Sequence, residues 1–429
     1  MSTSSPSAAS AAADAWQPRA VLRSLFDAAL SAVDPLHCVA PHLPPRPRGR
    51  TLVLGAGKAS ARMARAVEAA WDGPLSGLVV TRYGHGEACQ RIEVVESGHP
   101  VPDDAGMAAA QRMLQLAQGL GPDDLVLALV SGGGSSLITL PAEGLSMADL
   151  RQVNVALLRS GATISEMNTV RRHLSAIKGG RLAEACGAAA VHTLVVSDVP
   201  GDDPAVVASG PTVRDRSTAA DALAVLQRHG LRVLPTVLDV LQRPALPAPA
   251  FAGPREVRVI ATAERALDAA VAKAQRQGLS VINLGGALEG ESREVARSQA
   301  AMARGLLAAG TRDGRPLLLL SGGETTVTVR GHGRGGRNSE FLLALALALQ
   351  GEPHIHALAC DTDGIDGVED NAGGCIDPDS LHRAGTLGLH PQALLDDNDA
   401  YAFLSALGDL ITTGPTRTNV NDFRALLIT

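Results

Sequence analysis

The chain has 429 residues, of which 45% are apolar, 19% are charged and 2% are aromatic, and its formal net charge at pH 7 is −6. A domain usually takes ~100–200 residues, so we expect two domains. Scattered Lys and Arg residues and few aromatic rings predict no nucleic-acid partner. The longest apolar run, 341–349, is shorter than the ~20 residues of a bilayer span, so no membrane segment is expected.

The cysteines predict neither a zinc site nor a disulfide framework, because they are odd in number and no two form a C-x-x-C pair. Residues 1–17 are predicted to be a flexible tail, since the first sixteen are rich in Ser and Ala and lack the basic residues of a targeting signal. Both features favour a reducing cytoplasm. The cysteines are Cys38, Cys89, Cys186, Cys360 and Cys375.

Short apolar runs alternate with amphipathic stretches through the first half of the chain. This alternation is typical of βαβ units, and runs that are apolar on both faces predict a parallel sheet covered by helices. We therefore predict an α/β N-terminal domain over 18–242. Its predicted helices cover 21–33, 59–71, 104–118, 147–159, 218–228 and 236–242, and its predicted strands cover 51–54, 78–81, 92–95, 125–130 and 193–196.

A stretch with four prolines and four alanines, 243–254, has no usable period and is predicted to be the domain linker. Beyond it we predict a smaller, Leu-rich α/β domain over 255–429 with a mixed sheet. Residues 326–330 alternate polar and apolar side chains, which predicts an exposed antiparallel strand. The other predicted strands cover 257–261, 280–284, 317–320, 356–360 and 425–428, and the predicted helices cover 264–277, 292–307, 339–349 and 393–407.

A glycine turn with a lysine, L-G-A-G-K-A-S over 54–60, joins the first predicted strand of the sheet to a helix. Backbone N–H groups at a helix start suit an anion, and Lys58 adds a cation. The dinucleotide fingerprint G-x-G-x-x-G/A fails at its third position, where Ser60 stands, and the P-loop spacing is absent. A phosphate or carboxylate site and a plain tight turn both stay open.

A second glycine loop follows the predicted strand 125–130. Glycines allow backbone N–H groups to approach an anion closely, and hydroxyl groups add donors. We predict that this loop holds a carboxylate or a phosphate, although three glycines after a strand also occur in plain sharp turns. The loop residues are Ser131, Gly132, Gly133, Gly134 and Ser135.

Four basic residues fall within eleven positions, in a predicted helix and the glycine pair that follows it. A solvated basic helix face would also explain them. Lys178 stands beside Gly179 and Gly180 at the start of a new helix, so it is the candidate anion contact of the group. The four are Arg171, Arg172, Lys178 and Arg181.

Acidic residues follow two predicted strands. Asp198 ends the run V-V-S-D, a position that suits Mg²⁺ binding or acceptance of a proton from a substrate hydroxyl. Asp361, Asp363 and Asp366 follow the strand 356–360. They do not form an EF-hand, because the twelfth position of such a loop is Ala372. Metal–nucleotide coordination and a capped turn both stay open there.

The glycine loop has an echo in the second half, where S-G-G-E-T-T (321–326) also follows an apolar strand. Loops at the carboxyl ends of parallel strands bind ligands in α/β folds, so we expect Gly322, Gly323 and Glu324 to face the same cleft as the first loop. Arg337 ends the run G-H-G-R-G-G-R where it meets a predicted helix. Its planar guanidinium suits phosphate oxygens.

In order and wording these motifs resemble the class II glycerate kinases, a family with an N-terminal Rossmann-like domain and a smaller, Leu-rich C-terminal domain. The resemblance spans nearly the whole chain beyond the Ala-rich tail. Ser339 stands where related sequences usually have Gln, and we expect no chemistry there. The matching motifs are G-A-G-K-A-S (55–60), V-S-G-G-G-S-S (130–136), N-T-V-R-R-H-L-S-A-I-K-G-G-R-L-A (168–183), V-V-S-D-V-P-G-D-D (195–203), S-G-P-T (209–212), L-S-G-G-E-T-T-V (320–327), G-G-R-N-S-E (335–340), D-T-D-G-I-D-G (361–367) and T-G-P-T-R-T-N-V-N-D (413–422).

The resemblance implies a kinase, dependent on ATP and Mg²⁺, that phosphorylates the 2-hydroxyl of D-glycerate to give 2-phosphoglycerate and ADP in an interdomain cleft. It also implies that Lys58 and Arg337 stabilise the transition state. From the chemistry of the other motifs we expect Asp198 to orient or deprotonate the hydroxyl, and the loop 131–135 with Lys178 to bind the substrate. The predicted nucleotide-binding residues are Gly322, Gly323, Glu324 and Asn338, and the predicted metal ligands are Asp361 and Asp363.

The main alternative is an oxidoreductase that reduces hydroxypyruvate with NAD(P)H, a label also given to sequences that resemble this one. The first glycine turn favours it, as does Arg82, which could bind a 2′-phosphate after the second strand. The imperfect fingerprint and an excess of acids that hydride transfer does not need argue against it. A non-catalytic sugar-acid sensor is a third interpretation that no sequence feature favours. The sequence leaves a homo-oligomer open.

Overall fold

The computed structural model describes residues 17–243, 251–310 and 314–429. The described residues form two compact units, which we name by their sheets. The parallel-sheet unit comprises 33–262 and 417–420, and the mixed-sheet unit comprises 17–32, 263–416 and 421–429. Within the described ranges, no helix combines the length and the apolarity that a bilayer span needs.

Helices and strands alternate through much of the chain, and two 3₁₀ turns occur at Ala40–His42 and Val207–Ser209. The helices are α1 (Pro18–Val33), α2 (Pro35–Cys38), α3 (Ser60–Ala70), α4 (Asp104–Ala117), α5 (Gly134–Leu137), α6 (Met147–Arg159), α7 (Ile164–His173), α8 (Arg181–Ala185), α9 (Ala219–Arg228), α10 (Pro235–Gln242), α11 (Ala263–Arg276), α12 (Ser292–Ala309), α13 (Arg337–Leu349), α14 (Ser380–Thr386), α15 (Pro391–Asp396) and α16 (Ala400–Leu407). The strands are β1 (Thr51–Ala56), β2 (Ser76–Arg82), β3 (Ile92–Ser97), β4 (Leu125–Ser131), β5 (Ala190–Val196), β6 (Arg255–Ala261), β7 (Ser280–Asn283), β8 (Gly290–Glu291), β9 (Leu317–Gly323), β10 (Thr325–Thr326), β11 (Ile355–Asp361), β12 (Gly373–Ile376), β13 (Leu410–Ile411) and β14 (Asp422–Ile428).

The parallel-sheet unit has six strands in the order β3-β2-β1-β4-β5-β6, and every neighbouring pair is parallel. Strands β1 and β4 are buried along their whole length, as their two apolar faces require. The strand order reverses between β1 and β4. The loops that follow these two strands therefore flank the switch point, where sheets of this kind bind ligands.

The mixed-sheet unit has six strands in the order β13-β12-β11-β14-β9-β7. Strands β7 and β9 are parallel neighbours, and the other neighbouring pairs are antiparallel. Helix α13 is apolar around most of its circumference and is therefore buried. Its side chains form the centre of a core with residues of α12, α16 and the sheet. The Leu-rich composition of this half thus belongs largely to one buried helix and its neighbours.

The predicted fold class is confirmed, with a parallel sheet in the first half of the chain and a mixed sheet in the second. The five strands predicted for the first half are present with slightly wider bounds, and the predicted helix 147–159 is α6. These elements were accessible from the sequence because each depends on a local period of apolar residues.

Two elements join a different unit from the one predicted. Strand β6, the predicted start of the second domain, pairs with β5 and completes the parallel sheet. Helix α1, predicted in the first domain, packs on the mixed-sheet unit, where the rings of Phe26 and Phe423 have centroids 5.5 Å apart. The units therefore divide near residue 262 and not at the Pro-rich stretch. Residues 244–250 of the predicted linker and 1–16 of the predicted tail lie outside the described residues.

Two predicted elements of the second half are wrong. Residues 326–330 do not form an antiparallel strand, because β10 ends at Thr326 and pairs in parallel with β8. The polar residues of this segment make side-chain contacts instead, and Thr328 N donates to Glu291 Oε1 at 2.9 Å. The single helix predicted over 393–407 is the pair α15 and α16, separated by a turn in which Asn398 has a φ of 57°.

The burial of α13 predicts a large loss of stability when one of its side chains is truncated. Leu343 is 0% exposed, so Leu343→Ala should lower the free energy of unfolding by about 2–5 kcal/mol through lost burial and the remaining cavity. Leu387, in the same unit, is 57% exposed, and Leu387→Ala should change this energy by about 0.5 kcal/mol or less. Urea unfolding of the two full-length variants measures both values, and equal losses would contradict the packing of α13.

Candidate active site

The backbone N–H groups of the first glycine turn are already bonded within the parallel-sheet unit. The turn therefore ties β1 to β4, and its backbone is not available to an anion. Of the two interpretations left open by the sequence, this finding favours the tight turn over an anion site on these N–H groups. The bonds are Gly57 N to Val80 O (3.1 Å), Lys58 N to Gly132 O (2.9 Å), Ala59 N to Ser131 Oγ (3.0 Å) and Ser60 N to Gly57 O (3.1 Å).

The loop after β4 differs from the first turn. Among the described residues, the N–H groups of Gly133, Gly134 and Ser135 have no acceptor. Gly133 has a φ of 80°, a left-handed conformation that glycine adopts without strain. Successive unbonded N–H groups form a positive concave surface of the kind that binds a carboxylate or a phosphate. The geometry therefore favours this loop over the first turn as the anion site.

Asp198 lies against this loop, close to the carboxyl end of β5. A Cβ atom on Gly132 would fall 1.8 Å from Asp198 Oδ2 and 2.4 Å from Asn419 Nδ2, so only glycine leaves room for both side chains. The buried Asn419 donates from Nδ2 to Asp198 Oδ2 at 3.0 Å. This hydrogen bond fixes the predicted proton acceptor beside the predicted substrate-binding loop.

Lys58 and His99 flank the same loop. A Cβ atom on Gly133 would lie 3.2 Å from Lys58 Cγ and 3.1 Å from the His99 ring. Lys58 is positioned by its own N–H group, whose bond to Gly132 O joins the turn after β1 to the loop after β4. His99 follows β3, whose carboxyl end lies at the same edge of the sheet as those of β1, β4 and β5. Two nitrogen-bearing side chains thus stand next to the unbonded N–H groups.

A left-handed turn holds Lys178 near this loop. Ala208 and Ser209 have φ values of 51° and 60°, a conformation that costs roughly 1–2 kcal/mol for each residue with a Cβ. Ser209 O accepts from Gly179 N at 3.1 Å, and Ser209 Oγ lies 2.8 Å from Ser135 Oγ. Strained backbone of this kind persists where packing over-determines it, and it is frequent at functional sites.

Lys178 is buried without a carboxylate partner. Its residue is 6% exposed, and within the described residues its ammonium group makes no hydrogen bond or ion pair. Burial, with the nearby positive charge of Arg171, lowers the pKa of Lys178 to about 7. A lysine shifted in this way beside a glycine loop is a candidate for a functional role.

In the mixed-sheet unit, Arg337 binds three carboxylates. It is the first residue of α13, and its guanidinium donates to Asp422 Oδ1 at 2.7 Å, to Asp361 Oδ2 at 2.7 Å and to Glu324 Oε1 at 2.6 Å. These acids lie at the ends of the adjacent strands β14, β11 and β9. The side chain of Glu324 is 50% exposed, whereas those of Asp361 and Asp422 are buried. Glu324 is therefore the partner that a solvent-borne anion can replace.

Asp366 caps the start of α13 from outside the helix. Its buried carboxylate accepts from Asn338 N at 2.9 Å and from Ser339 N at 2.7 Å, and burial raises its pKa. The Ser339 hydroxyl also donates to Asp366, and Asn338 Nδ2 donates to Asp422 Oδ1 at 2.8 Å. Asn338 is 0% exposed. Its hydrogen bonds stabilise the start of α13 in this structure, and its contact with a nucleotide stays a prediction.

The glycines of the second motif do not repeat the structure of the first loop. Gly322 and Gly323 lie inside β9, where they pair with Phe423 and Asp422. Gly323 has a φ of 107°, and a Cβ atom there would fall 2.3 Å from the backbone of Leu288. The two similar sequences thus form a loop that follows a strand in one unit and the last residues of a strand in the other.

Asp361 and Asp363 form a turn after β11. Asp361 Oδ1 accepts from Asp363 N at 3.0 Å, and Asp363 Oδ1 accepts from Ile365 N at 2.8 Å. The described residues contain no group of three or more His, Cys, Asp or Glu side chains placed to hold a metal ion. With Asp361 also bound to Arg337, these residues do not form a protein cage for Mg²⁺, so their role as metal ligands stays a prediction.

Comparison with known proteins gives the family. Residues 21–242 match a domain of unknown function, DUF4147, and residues 317–422 match the MOFRL family. The D-glycerate 2-kinase of Thermotoga maritima is 40% identical over 395 residues, which cover 92% of this chain and 94% of that protein. The chain belongs to the class II glycerate kinase family.

The match to this glycerate kinase family extends to three dimensions. A crystal structure of a glycerate kinase from Thermotoga maritima superposes with a TM-score of 0.87 at 38% identity, covering 96% of this chain and 99% of that one. A putative hydroxypyruvate reductase from Agrobacterium vitis is 54% identical, over 96% of this chain and 94% of its own length. Relatives of this chain therefore carry two different activity names.

Three residues beside the loop of this glycerate kinase family member are absent from the sequence predictions. Asn419 and Ser209 lie in motifs that carry the family resemblance, which was a signal, but no local pattern places them beside Asp198 or Ser135. His99 follows a predicted strand, so its strand-end position was the available signal. All three became apparent only through contacts between distant parts of the chain.

The buried Lys178 predicts a pH-dependent stability. Its pKa is about 7 in the folded chain, against an ordinary value of 10.5, so the unfolded chain binds more protons between these pH values and this contribution to stability rises with pH across that window. Lys178→Met removes the buried charge, so the variant should be more stable than the wild type at pH 7, with a gain that shrinks toward pH 10. Urea unfolding at pH 7, 8.5 and 10 measures this trend, and a gain of equal size at all three would contradict it.

Proposed function

We propose that this chain transfers the γ-phosphoryl group of ATP to the 2-hydroxyl of D-glycerate. The observation that carries the proposal is the match to a relative named D-glycerate 2-kinase, which extends over 92% of this chain and includes both units. The likeness to a solved glycerate kinase, at 38% identity and a TM-score of 0.87, supports it further. The expectation of an interdomain site stays a prediction.

The parallel-sheet unit supplies the substrate-binding groups in this proposal. The unbonded N–H groups of Gly133–Ser135 bind the glycerate carboxylate, and Asp198 accepts the proton of the 2-hydroxyl. Asn419, through its 3.0 Å bond to Asp198 Oδ2, holds the carboxylate of Asp198 in place for this transfer. Lys58, beside Gly133, neutralises charge on the transferred phosphoryl group. Within the loop, Ser131 is 0% exposed and accepts a hydrogen bond from Ala59 N, so it stabilises the loop.

The mixed-sheet unit supplies the phosphate-binding groups. Arg337 exchanges its bond to the exposed Glu324 for a phosphate oxygen, while Asp361 and Asp422 keep the guanidinium in place. The new bond forms between the glycerate oxygen and the γ-phosphorus, and the bond from that phosphorus to the bridging oxygen of ADP breaks. Transition states of this kind need positioning and charge neutralisation more than covalent help from the protein.

A divalent cation such as Mg²⁺ would neutralise phosphate charge in this reaction. Asp363 and Asp361 are the residues of this chain predicted to hold it, but the described residues contain no group of three or more His, Cys, Asp or Glu side chains placed to hold a metal ion. In this proposal Asp361 and Asp363 would hold the ion, and the ion would supply positive charge beside the phosphate groups. The nucleotide contacts proposed for Gly322, Gly323, Glu324 and Asn338 rest on their position around Arg337.

The alternative, an NAD(P)H-dependent hydroxypyruvate reductase, has one observation in its favour. Two relatives from Agrobacterium vitis, at 54% and 52% identity, are named putative hydroxypyruvate reductases. A dinucleotide of this kind binds its pyrophosphate through the N–H groups of the turn after β1. In this chain the N–H groups of residues 57–60 are bonded within the protein. The backbone of the turn therefore favours the kinase over the reductase.

Two assays on one purified preparation separate these functions. The first measures ADP release from ATP·Mg²⁺ with and without D-glycerate, and the second measures NAD(P)H oxidation with hydroxypyruvate. We expect glycerate-dependent ADP release without NAD(P)H oxidation, and a phosphorus NMR spectrum of 2-phosphoglycerate for the product. The reverse pattern of the two assays would overturn the proposal, and a product with the spectrum of 3-phosphoglycerate would overturn the assigned position.

Arg337→Ala should lower kcat by ~10³-fold, because it removes a guanidinium that acts on the transferred phosphoryl group. The control is Arg334→Ala in the same loop, where an arginine with a side chain 61% exposed pairs with Glu369. This control should keep kcat within about threefold of the wild type. Steady-state ADP release measures both, and a loss under about tenfold for Arg337→Ala would remove Arg337 from this role.

Gly132→Ala should lower kcat by ~10²-fold or more, since the new methyl group displaces Asp198 from the loop and small misplacements of a reacting group are costly. Gly305→Ala on α12 is the matched control, because a Cβ atom there meets nothing within 4 Å. The control should be fully active and slightly more stable. Activity retained by Gly132→Ala would contradict the proposed position of Asp198 in the reaction.

A further inference from the structure

Lys178, which is buried, and Arg171, which is partly buried, are two cations of the parallel-sheet unit that have no carboxylate partner among the described residues. Arg171 donates from Nε to Asn154 Oδ1 at 2.9 Å and from one terminal nitrogen to Asn168 Oδ1 at 3.4 Å, and both acceptors are neutral amides. Lys178 is 6% exposed, and its ammonium group makes no hydrogen bond within the described ranges.

The neighbouring cations of the same segment lie near acids. Arg172 pairs with Asp215 at 2.9 Å, and Arg181 is influenced by the negative charges of Asp215 and Glu184. Acids are thus present in this part of the unit, but they lie near Arg172 and Arg181. Within the described residues of this segment, Arg171 and Lys178 are the cations that no acid influences in this way.

Burial of a charge without a partner is unfavourable in the folded chain. Burial lowers the pKa of both groups, and the positive charge of Arg171 adds to the effect on Lys178. An anion bound between the two would reverse this penalty. Two adjacent uncompensated cations are therefore the electrostatic signature of a site completed by a negatively charged ligand.

Hydrogen bonds connect the backbone next to Lys178 to the glycine loop. Lys178 immediately precedes Gly179, whose N–H group donates to Ser209 O at 3.1 Å. The hydroxyl of Ser209 lies 2.8 Å from that of Ser135, the last residue of the loop with unbonded N–H groups. The strained left-handed turn thus holds the backbone of Lys178 in register with the loop that is proposed to hold a carboxylate.

We propose that Arg171 and Lys178 are specificity-determining residues that select a substrate carrying a carboxylate. The inference rests on the proposed function and deepens it. The N–H groups of Gly133–Ser135 can donate to any acceptor oxygen in a suitable position, whereas the two cations add a preference for full negative charge. The site should therefore discriminate between D-glycerate and its neutral amide, D-glyceramide.

The test compares wild type, Lys178→Met and Arg171→Gln, with Arg159→Gln as control, an exposed arginine at the end of α6. The measured quantities are kcat/KM for D-glycerate, kcat/KM for D-glyceramide and KM for ATP. We expect KM for D-glycerate to rise at least ~10-fold in Lys178→Met and Arg171→Gln, and the preference for D-glycerate over the amide to fall by a similar factor. KM for ATP should stay within about threefold, and the control should match the wild type throughout.

Arg171→Lys, which keeps the charge, should recover most of the D-glycerate affinity that Arg171→Gln loses, a recovery that a purely structural role does not predict. Calorimetric titration of D-glycerate without nucleotide tests the pair independently of turnover, so it remains informative if the kinase reaction itself is absent. Wild-type affinity for D-glycerate in Lys178→Met and Arg171→Gln, or no binding to the wild type, would overturn the inference. So would an equal loss of rate with the acid and the amide.

Discussion

The hydrogen bonds between the turn after β1 and the loop after β4 determine how the rest of the candidate site is built. Ala59 N donates to Ser131 Oγ and Lys58 N donates to Gly132 O, at 3.0 and 2.9 Å. These bonds use the N–H groups that a dinucleotide would need, and they bring Lys58 to the edge of the loop. The N–H groups of Gly133–Ser135 are left without acceptors in the described part of the chain. These two bonds thus disfavour dinucleotide binding at the first turn and leave the loop after β4 able to bind an anion.

Arg337 differs from Arg171 and Lys178 in how its positive charge is compensated. Arg337 has three carboxylates around it, so its guanidinium is held rigidly and only the exposed Glu324 can give way to a ligand. Arg171 and Lys178 have none among the described residues, so in the proposed site it is the bound anion that compensates their charges. A preorganised cation stabilises a developing charge without reorganisation, whereas an uncompensated cation favours binding. This contrast is consistent with a phosphoryl-transferring group in one unit and a substrate-selecting pair in the other.

Much of the fold could be predicted because helices and strands depend on local apolar periods, and the strand-end positions of Asp198 and Lys58 followed from them. The assignment of β6 and α1 to their units depends on pairing and packing between distant residues, which no local period records. The two glycine motifs look alike in sequence, but Gly323 lies in a strand and pairs with its neighbour, whereas Gly133 lies in the loop that follows a strand. Asn419 bonds to Asp198 across a separation of 221 residues, so its motif could be recognised in the sequence but its contact with Asp198 could not.

The central claim is that the loop after β4, and not the turn after β1, is where this protein binds the anionic end of its substrate. The most direct test is a crystal structure of the full chain with D-glycerate and a non-hydrolysable ATP analogue. The account predicts a carboxylate oxygen within hydrogen-bonding distance of the N–H groups of Gly133–Ser135, with the 2-hydroxyl facing Asp198. A ligand anion bound to the N–H groups of residues 57–60, with the bonds to Ser131 and Gly132 broken, would contradict it.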